Sequence, residues 1–424
     1  MKITLSYGKG VIVSLFILIN CGISFPQTAF KVNKSHLDYL CREIEIGGKK
    51  MAVVNIYCNA PDYKYVGDDD EGYACVDDAA RAAIFYLEYY KAYNDPSSLA
   101  KYYKLVEFLL YMQADNGFFY NFLYDDNSIN RTFRTSVAEP GWWSWRALWA
   151  LIENSKITSV QDEGISLRIN AAVKKTIDAL KQLIPAEKNE IEIDGVKLPD
   201  WLPSQTASDQ SALLVIVLSE YYGISGDKEI LNYLNSVMQG IMMMQINDPE
   251  SEYNGAFLSW QNTWHGWGNS QSYALLRASR ILNDDELKKS ALLELNNFYN
   301  VLIKNGFLSY FKVEKKDCRY EEVESNKFPQ IAYTIRPVVY ALIEAYNITS
   351  DPAYARKAGE AAKWFTGGNP VNAKMYNGET GIIFDGIEND ELINKNSGAE
   401  STIEGLMTLL KVSRTPAALK EFEK

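Results

Sequence analysis

Two kinds of apolar segment alternate along the chain. In the first kind nearly every position is apolar: Ala79–Leu87, Trp142–Leu151, Ala212–Leu218, Tyr273–Leu276, Pro337–Leu342 and Ile403–Leu410. A helix without a polar stripe is buried on every side. In the second kind, apolar residues recur at helical spacing with Lys and Glu between them. These segments are Ser97–Gln113, Ser166–Leu183, Lys228–Met244, Asp285–Ile303 and Pro352–Trp364. That is the pattern of a helix with one wet face.

The all-apolar segments open near Asp77, Glu139, Asp209, His265, Arg336 and Glu400, at steps of 62, 70, 56, 71 and 64 residues. A period of about 65 residues fits one helical hairpin plus a loop. The turns inside the hairpins look alike: Ala92-Tyr-Asn-Asp-Pro, Tyr222-Gly-Ile-Ser-Gly-Asp, Ile281-Leu-Asn-Asp-Asp and Ala345-Tyr-Asn-Ile-Thr-Ser-Asp-Pro. Each ends a buried helix and offers an Asp or Ser cap to the next, sometimes with Pro at the first helical position. Strand signals are few. Phe118–Tyr124 and Phe307–Val313 read as short hairpins within loops. The alternation predicts an all-α fold, an (α/α)6 toroid of two concentric helical rings with short β-hairpins in its loops. An open solenoid is the rival, but its repeats usually run to roughly 33–47 residues.

The start of the chain reads differently. Lys2 and Lys9 precede the apolar run Val11–Ile19, and small residues follow at Gly22 and Ser24. This predicts a signal peptide over residues 1–24 and export to the periplasm, cell surface or medium. Cys21 offers a lipid anchor as the rival reading, which the preceding Asn20 fits poorly. Residues 25–424 are expected to form one domain. Its first part, to about residue 70, is a Tyr- and Asp-rich lead-in without strong periodicity. No later run is long enough to cross a membrane.

Composition narrows the chemistry. The 424 residues carry 43 Lys+Arg against 54 Asp+Glu, a formal net charge of −11. An acidic surface argues against nucleic acid or anionic membrane as the main partner. Only His36 and His265 are present, so a His-rich metal site is excluded. Cys41, Cys58, Cys75 and Cys318 form no CxxC pair, and zinc is not expected. Neither cofactor nor metal is predicted, and a monomer is expected. Aromatic residues reach 13%.

The polar residues of the buried helices sit at their starts. If the inner ring points its N-terminal ends one way, they converge in one basin. Asp77 and Asp78 open the first helix, where simple capping is the competing role. Glu139 precedes Trp142, Trp143 and Trp145. Carboxylates flanked by indoles suit sugars, because ring faces stack on C–H surfaces while acids handle hydroxyls and protons. Trp260–Gln271 packs Trp264, His265, Trp267 and Asn269 into one Gly-broken loop. Asp209 opens the third buried helix. Arg336 stands at the start of the fifth, where a buried charge needs a partner. Glu400 opens the sixth, after a long loop holding Asn369 and Asp385. Loops of that length are commonly functional.

Taken together, CVDDAARAAIFYLEYY, TWHGWGNSQSYALLRA, WFTGGNPVNAKMYNGETGIIFDGIE and NSGAESTIEGLMTLL resemble the (α/α)6-toroid domains of the six-hairpin glycosidase type. The resemblance is to bacterial domains found alone or fused to family 4 glycosyltransferases, and it spans about residues 70–412. The broader clan so implied contains inverting glycoside hydrolases and some polysaccharide lyases. The chain lacks the signatures of its well-known members, so no acid or base is carried over from them. The leading expectation is an inverting glycoside hydrolase acting on an oligosaccharide or polysaccharide. Its acid and base would be drawn from Asp77, Asp78, Glu139 and Glu400. Trp142, Trp143, Asp209, Trp264, His265, Trp267, Asn269, Arg336, Asn369 and Asp385 would bind substrate. A lyase using His265 or a Tyr with Arg336 is the second expectation, and a non-catalytic glycan-binding protein the third.

Overall fold

Four of the hairpin turns are built the same way. The helix before each ends on a left-handed residue, Asn94, Gly226, Asn283 or Ser350, and the Asp that follows caps the next helix. Asp95, Asp227, Asp284 and Asp351 each accept a backbone N–H from the first turn of that helix. Asn, Gly and Asp occur there because a left-handed residue must reverse the chain and a short acceptor must satisfy the new N-terminus.

The computed structural model describes residues 30–157 and 163–424. The expected leader, with Cys21, lies outside them. In chain order the helices are α1 (Ser35–Leu40), α2 (Val76–Tyr93), α3 (Pro96–Met112), α4 (Trp142–Ile152), α5 (Glu163–Lys181), α6 (Ser208–Ser225) and α7 (Lys228–Met243). They continue with α8 (Gln271–Leu282), α9 (Asp285–Asn296), α10 (Phe298–Lys304), α11 (Ala332–Thr349), α12 (Pro352–Ala362), α13 (Ala399–Ser413) and α14 (Pro416–Phe422).

The all-apolar segments lie in α2, α4, α6, α8, α11 and α13. Each packs on the next, and α13 packs back on α2, which closes the ring. An outer helix lies against each: α3 on α2, α5 on α4, α7 on α6, α9 on α8, α12 on α11 and α14 on α13. The chain is an (α/α)6 toroid. The closing contact of α13 on α2 excludes the open solenoid.

Local departures have local causes. The expected helix Asp285–Ile303 breaks at Asn297, whose side chain bonds the Leu293 carbonyl. Phe118–Tyr124 is not a hairpin of its own; Phe122–Leu123 pairs with Ala74–Cys75. Tyr310–Lys316 does form a hairpin, with Arg319–Asn326, and also pairs with Thr263–His265. The lead-in contains a hairpin, Cys41–Ile46 with Lys49–Val54, whose inner end is buried. Arg336 lies inside α11, which starts four residues before it.

One buried carboxyl makes a test of the packing. Glu294 of α9 is 3% exposed and accepts from Ser272 Oγ (2.6 Å) and from the Phe257 N–H (3.1 Å). Burial pushes its carboxyl up to about 7 against those hydrogen bonds. A carboxyl raised in the folded state adds stability at acid pH and loses it as pH rises through the folded value. Glu294→Gln should therefore be more stable than the parent at pH 8, by up to about 3 kcal/mol, and show no gain at pH 4. Urea unfolding at the two pH values measures this, and an equal difference at both would refute it.

Candidate active site

The N-terminal ends of the six inner helices, with the loops before them, surround one cavity of about 710 Å³. Asp77 comes from α2, Trp142, Trp143 and Arg146 from α4, and Asp209 and Gln210 from α6. His265 and Trp267 come from the loop before α8, Tyr333 from α11 and Glu400 from α13. Among residues outside the helices, Trp260 also reaches the wall. The predicted basin is thus present, and seven of the fourteen candidates line it: Asp77, Trp142, Trp143, Asp209, His265, Trp267 and Glu400.

One wall is built on Arg81. Its Nη1 lies 2.7 Å from Asp78 Oδ1 and 3.3 Å from Asp77 Oδ2, its Nη2 2.8 Å from Glu400 Oε2, and its Nε 3.1 Å from Glu404. Arg146 bonds Asp77 and the Tyr333 hydroxyl. Arg336 pairs with Glu404. The guanidiniums of Arg81, Arg146 and Arg336 all approach the Tyr333 ring, with centroid distances of 5.0–5.3 Å. The charges balance almost one to one, as burial requires.

The carboxyls within this wall differ. Burial alone would raise Asp77, but Arg146 and Arg81 outweigh it and hold the group below the usual carboxylate range. Burial raises Asp78 to about 6 despite Arg81. Asp78 also accepts from the Cys75 thiol, is buried and does not line the cavity. Glu400 bonds Arg81 through one oxygen, and its side chain is 42% exposed. One guanidinium thus holds oxygens of Asp77 and Glu400 on its two terminal nitrogens.

The other wall carries a second centre. His265 Nε2 lies 2.9 Å from Asp209 Oδ2. The Trp267 indole stacks on the imidazole, with centroids 4.0 Å apart and planes at 14°. Nδ1 is buried and has no hydrogen-bond partner among the described residues. A ring proton on Nε2 suits this setting, because a proton on Nδ1 would be an unsatisfied buried donor. Gly268 lets the loop close on the ring. Its φ is +77°, and an added Cβ would stand 3.2 Å from Trp142 and 3.3 Å from Tyr333.

The remaining candidates do other work. Trp264 is buried and stacks on Phe311, because alternation along the strand Thr263–His265 sends it inward. Asn269 holds the His265 carbonyl from behind. Arg336 is the counter-ion of Glu404 and does not reach the cavity. Asn369 bonds the backbone of its own loop at Trp364 and Ala373. Asp385 accepts the Gly398 N–H just before α13. Glu139 is exposed, lies outside the cavity wall and offers its carbonyl to Ser144. Arg81, Arg146, Tyr333 and Trp260 are the additions that the structure makes. A single Arg within each of two buried helices was the available signal for the first two.

By sequence, no protein-family model and no curated protein matches the chain. By structure it is similar to a sugar epimerase from a ruminal bacterium, at 13% identity and a TM-score of 0.61 over 89% of this chain and 94% of that one. It is also similar to cellobiose 2-epimerase from Spirochaeta thermophila, at 10% identity, TM-score 0.58 and 84% and 89% coverage. A D-mannose isomerase follows at 12% identity, TM-score 0.56 and 86% and 91% coverage. These likenesses are in the fold, and they agree with the toroid expected from the sequence.

Proposed function

We propose that the chain is an exported enzyme that acts on a neutral oligosaccharide by acid–base catalysis. The reading rests on one observation: two proton-handling centres face one indole-lined cavity. Asp77 and Glu400 stand on Arg81 at one wall, and His265 with Asp209 stands at the other. The first reading is inverting hydrolysis of a glycosidic bond. Asp77, held ionised, is the carboxylate that activates water, and Glu400, open to the cavity, is the second carboxyl of the pair. Stacking surfaces for sugar rings come from Trp142, Trp260 and Trp267.

A second reading is epimerisation or isomerisation at a reducing sugar. The His265–Asp209 pair on the cavity wall favours it, since an imidazole held on a carboxylate can relay a proton. The three solved structures named above are two sugar epimerases and a D-mannose isomerase. A uronate-cleaving lyase is disfavoured. Arg81 and Arg146 are already matched by Asp77, Asp78, Glu400 and Glu404, leaving little spare positive charge for a substrate carboxylate.

Incubation with a panel of neutral oligosaccharides in D2O, followed by NMR, separates these readings. Hydrolysis yields new reducing ends, first of inverted anomeric configuration, without deuterium at C2. Both other reactions leave the glycosidic bonds intact: epimerisation places deuterium at C2, and isomerisation of an aldose to a ketose places it at C1. Binding without either product would establish a glycan-binding protein and sink both.

A further inference from the structure

Ser259 lies in the turn before the strand Thr263–His265 and is fully buried. Its carbonyl accepts the backbone N–H groups of Ser208 (2.9 Å) and Asp209 (3.3 Å) at the start of α6. That helix has no capping side chain of its own at Ala207, so Ser259 supplies the acceptor from another loop. The hydroxyl of the same residue accepts the His265 N–H (3.0 Å) and donates to Asn269 Oδ1 (2.8 Å). Asn269 in turn donates to the His265 carbonyl. Gln271 Nε2 closes the network by donating to Asn269 Oδ1 (3.1 Å) and Ser208 Oγ (2.9 Å). The three supporting side chains at Ser208, Asn269 and Gln271 are buried as well.

One residue therefore grips both halves of the His–Asp pair, Asp209 through its carbonyl and His265 through its hydroxyl. We propose that Ser259 is the positioning residue that sets His265 Nε2 on Asp209 Oδ2 and thereby fixes the imidazole tautomer. The proposal rests on the reading of the cavity as an active site. Its physics is that of any oriented imidazole: the hydrogen bond at one ring nitrogen decides where the single proton sits. A ring-nitrogen-to-carboxylate contact of 2.9 Å is sensitive to small displacements, because hydrogen bonds weaken steeply with distance and angle. The network that fixes the distance is neutral, so it sets geometry without adding charge beside the pair.

Two histidines make the test direct, because ring 15N spectra of the full chain contain only His36 and His265. Spectra of His36→Gln assign the two sets. In the parent, His265 is expected as one tautomer, protonated at Nε2. Ser259→Ala removes the hydroxyl and keeps the carbonyl cap. It is expected to give a mixed tautomer population and at least a tenfold loss in kcat with little change in KM. Ser259→Cys, close in size with a weaker acceptor, is expected to fall between the two. It decides the matter in the same way if the alanine variant does not fold. A residue that merely holds the loop would lower the melting temperature and leave a single tautomer; that result overturns the proposal. The spectra need no substrate. Absence of turnover in the parent therefore counts against the active-site reading alone, while the tautomer result judges Ser259.

Discussion

Arg81→Met should destabilise the protein by about 3–5 kcal/mol at pH 8, among the largest losses any single substitution here can cause. The guanidinium touches four carboxylates. Asp77 keeps Arg146, Glu404 keeps Arg336, and Glu400 can turn to water. Asp78 keeps only the Cys75 thiol and a buried position. The loss is therefore mostly one uncompensated charge, and it should depend on pH. The Asp78 carboxyl is already raised by burial to about 6, and removing Arg81 takes away the attraction that opposes the rise. A carboxyl raised in the folded state is stabilising below its unfolded value and loses that contribution as pH rises through the folded one. The variant should thus sit closest to the parent near pH 4 and fall away steadily toward pH 8. Adding Asp78→Asn should recover part of the loss at pH 8. Urea denaturation of the parent, the single and the double variant at three pH values measures this. A loss independent of pH, unrelieved by Asp78→Asn, would show that Arg81 matters for packing alone.

Turnover should divide the two walls of the cavity. Under the hydrolytic reading, Glu400→Gln and Asp77→Asn each lower kcat by about a thousandfold or more, and His265→Gln costs about tenfold. Under the epimerase or isomerase reading the order reverses, and His265→Gln is the severe variant. Glu400 is part-exposed, so its amide should leave stability within about 0.5 kcal/mol of the parent. Asp77→Asn keeps the shape but loses an ion pair with each arginine, so its melting temperature must be measured beside its kcat. If all three variants keep full turnover, neither wall does the chemistry.

Much of this was legible in the chain because the order of apolar and polar residues sets both burial and period. Six segments without a polar stripe had to be inner helices, and the Asn–Asp, Gly–Asp and Ser–Asp pairs announced where they turned back. The convergence of Asp77, Asp209 and Glu400 followed, since residues at the same end of parallel inner helices must meet. Side-chain direction was harder to read. Trp264 and His265 are neighbours, yet one feeds the core and the other the cavity, because the segment between two turns is a strand and not helix or coil. Asn369 and Asp385 looked like ligand groups for the same reason that they serve their loops: short polar side chains bond nearby backbone. Arg336 was rightly expected to need a partner, but that partner is Glu404 in the core. Arg81 and Arg146 carry the least local signal, because their roles depend on contacts between helices far apart in sequence.

The last of these points bears on how the protein comes into being. Arg81 on the first inner helix and Glu400 on the last are 319 residues apart, yet their side chains meet at 2.8 Å. The contact forms only when the ring closes. A chain emerging from synthesis can fold its hairpins one after another, but the wall built on Arg81 lacks Glu400 until the final hairpin docks on the first. The loop-closure cost of that step is met by α13 on α2 and by the ion pairs between them. Catalytic competence should therefore arrive late and all at once, as a signal that assembly of the toroid is complete.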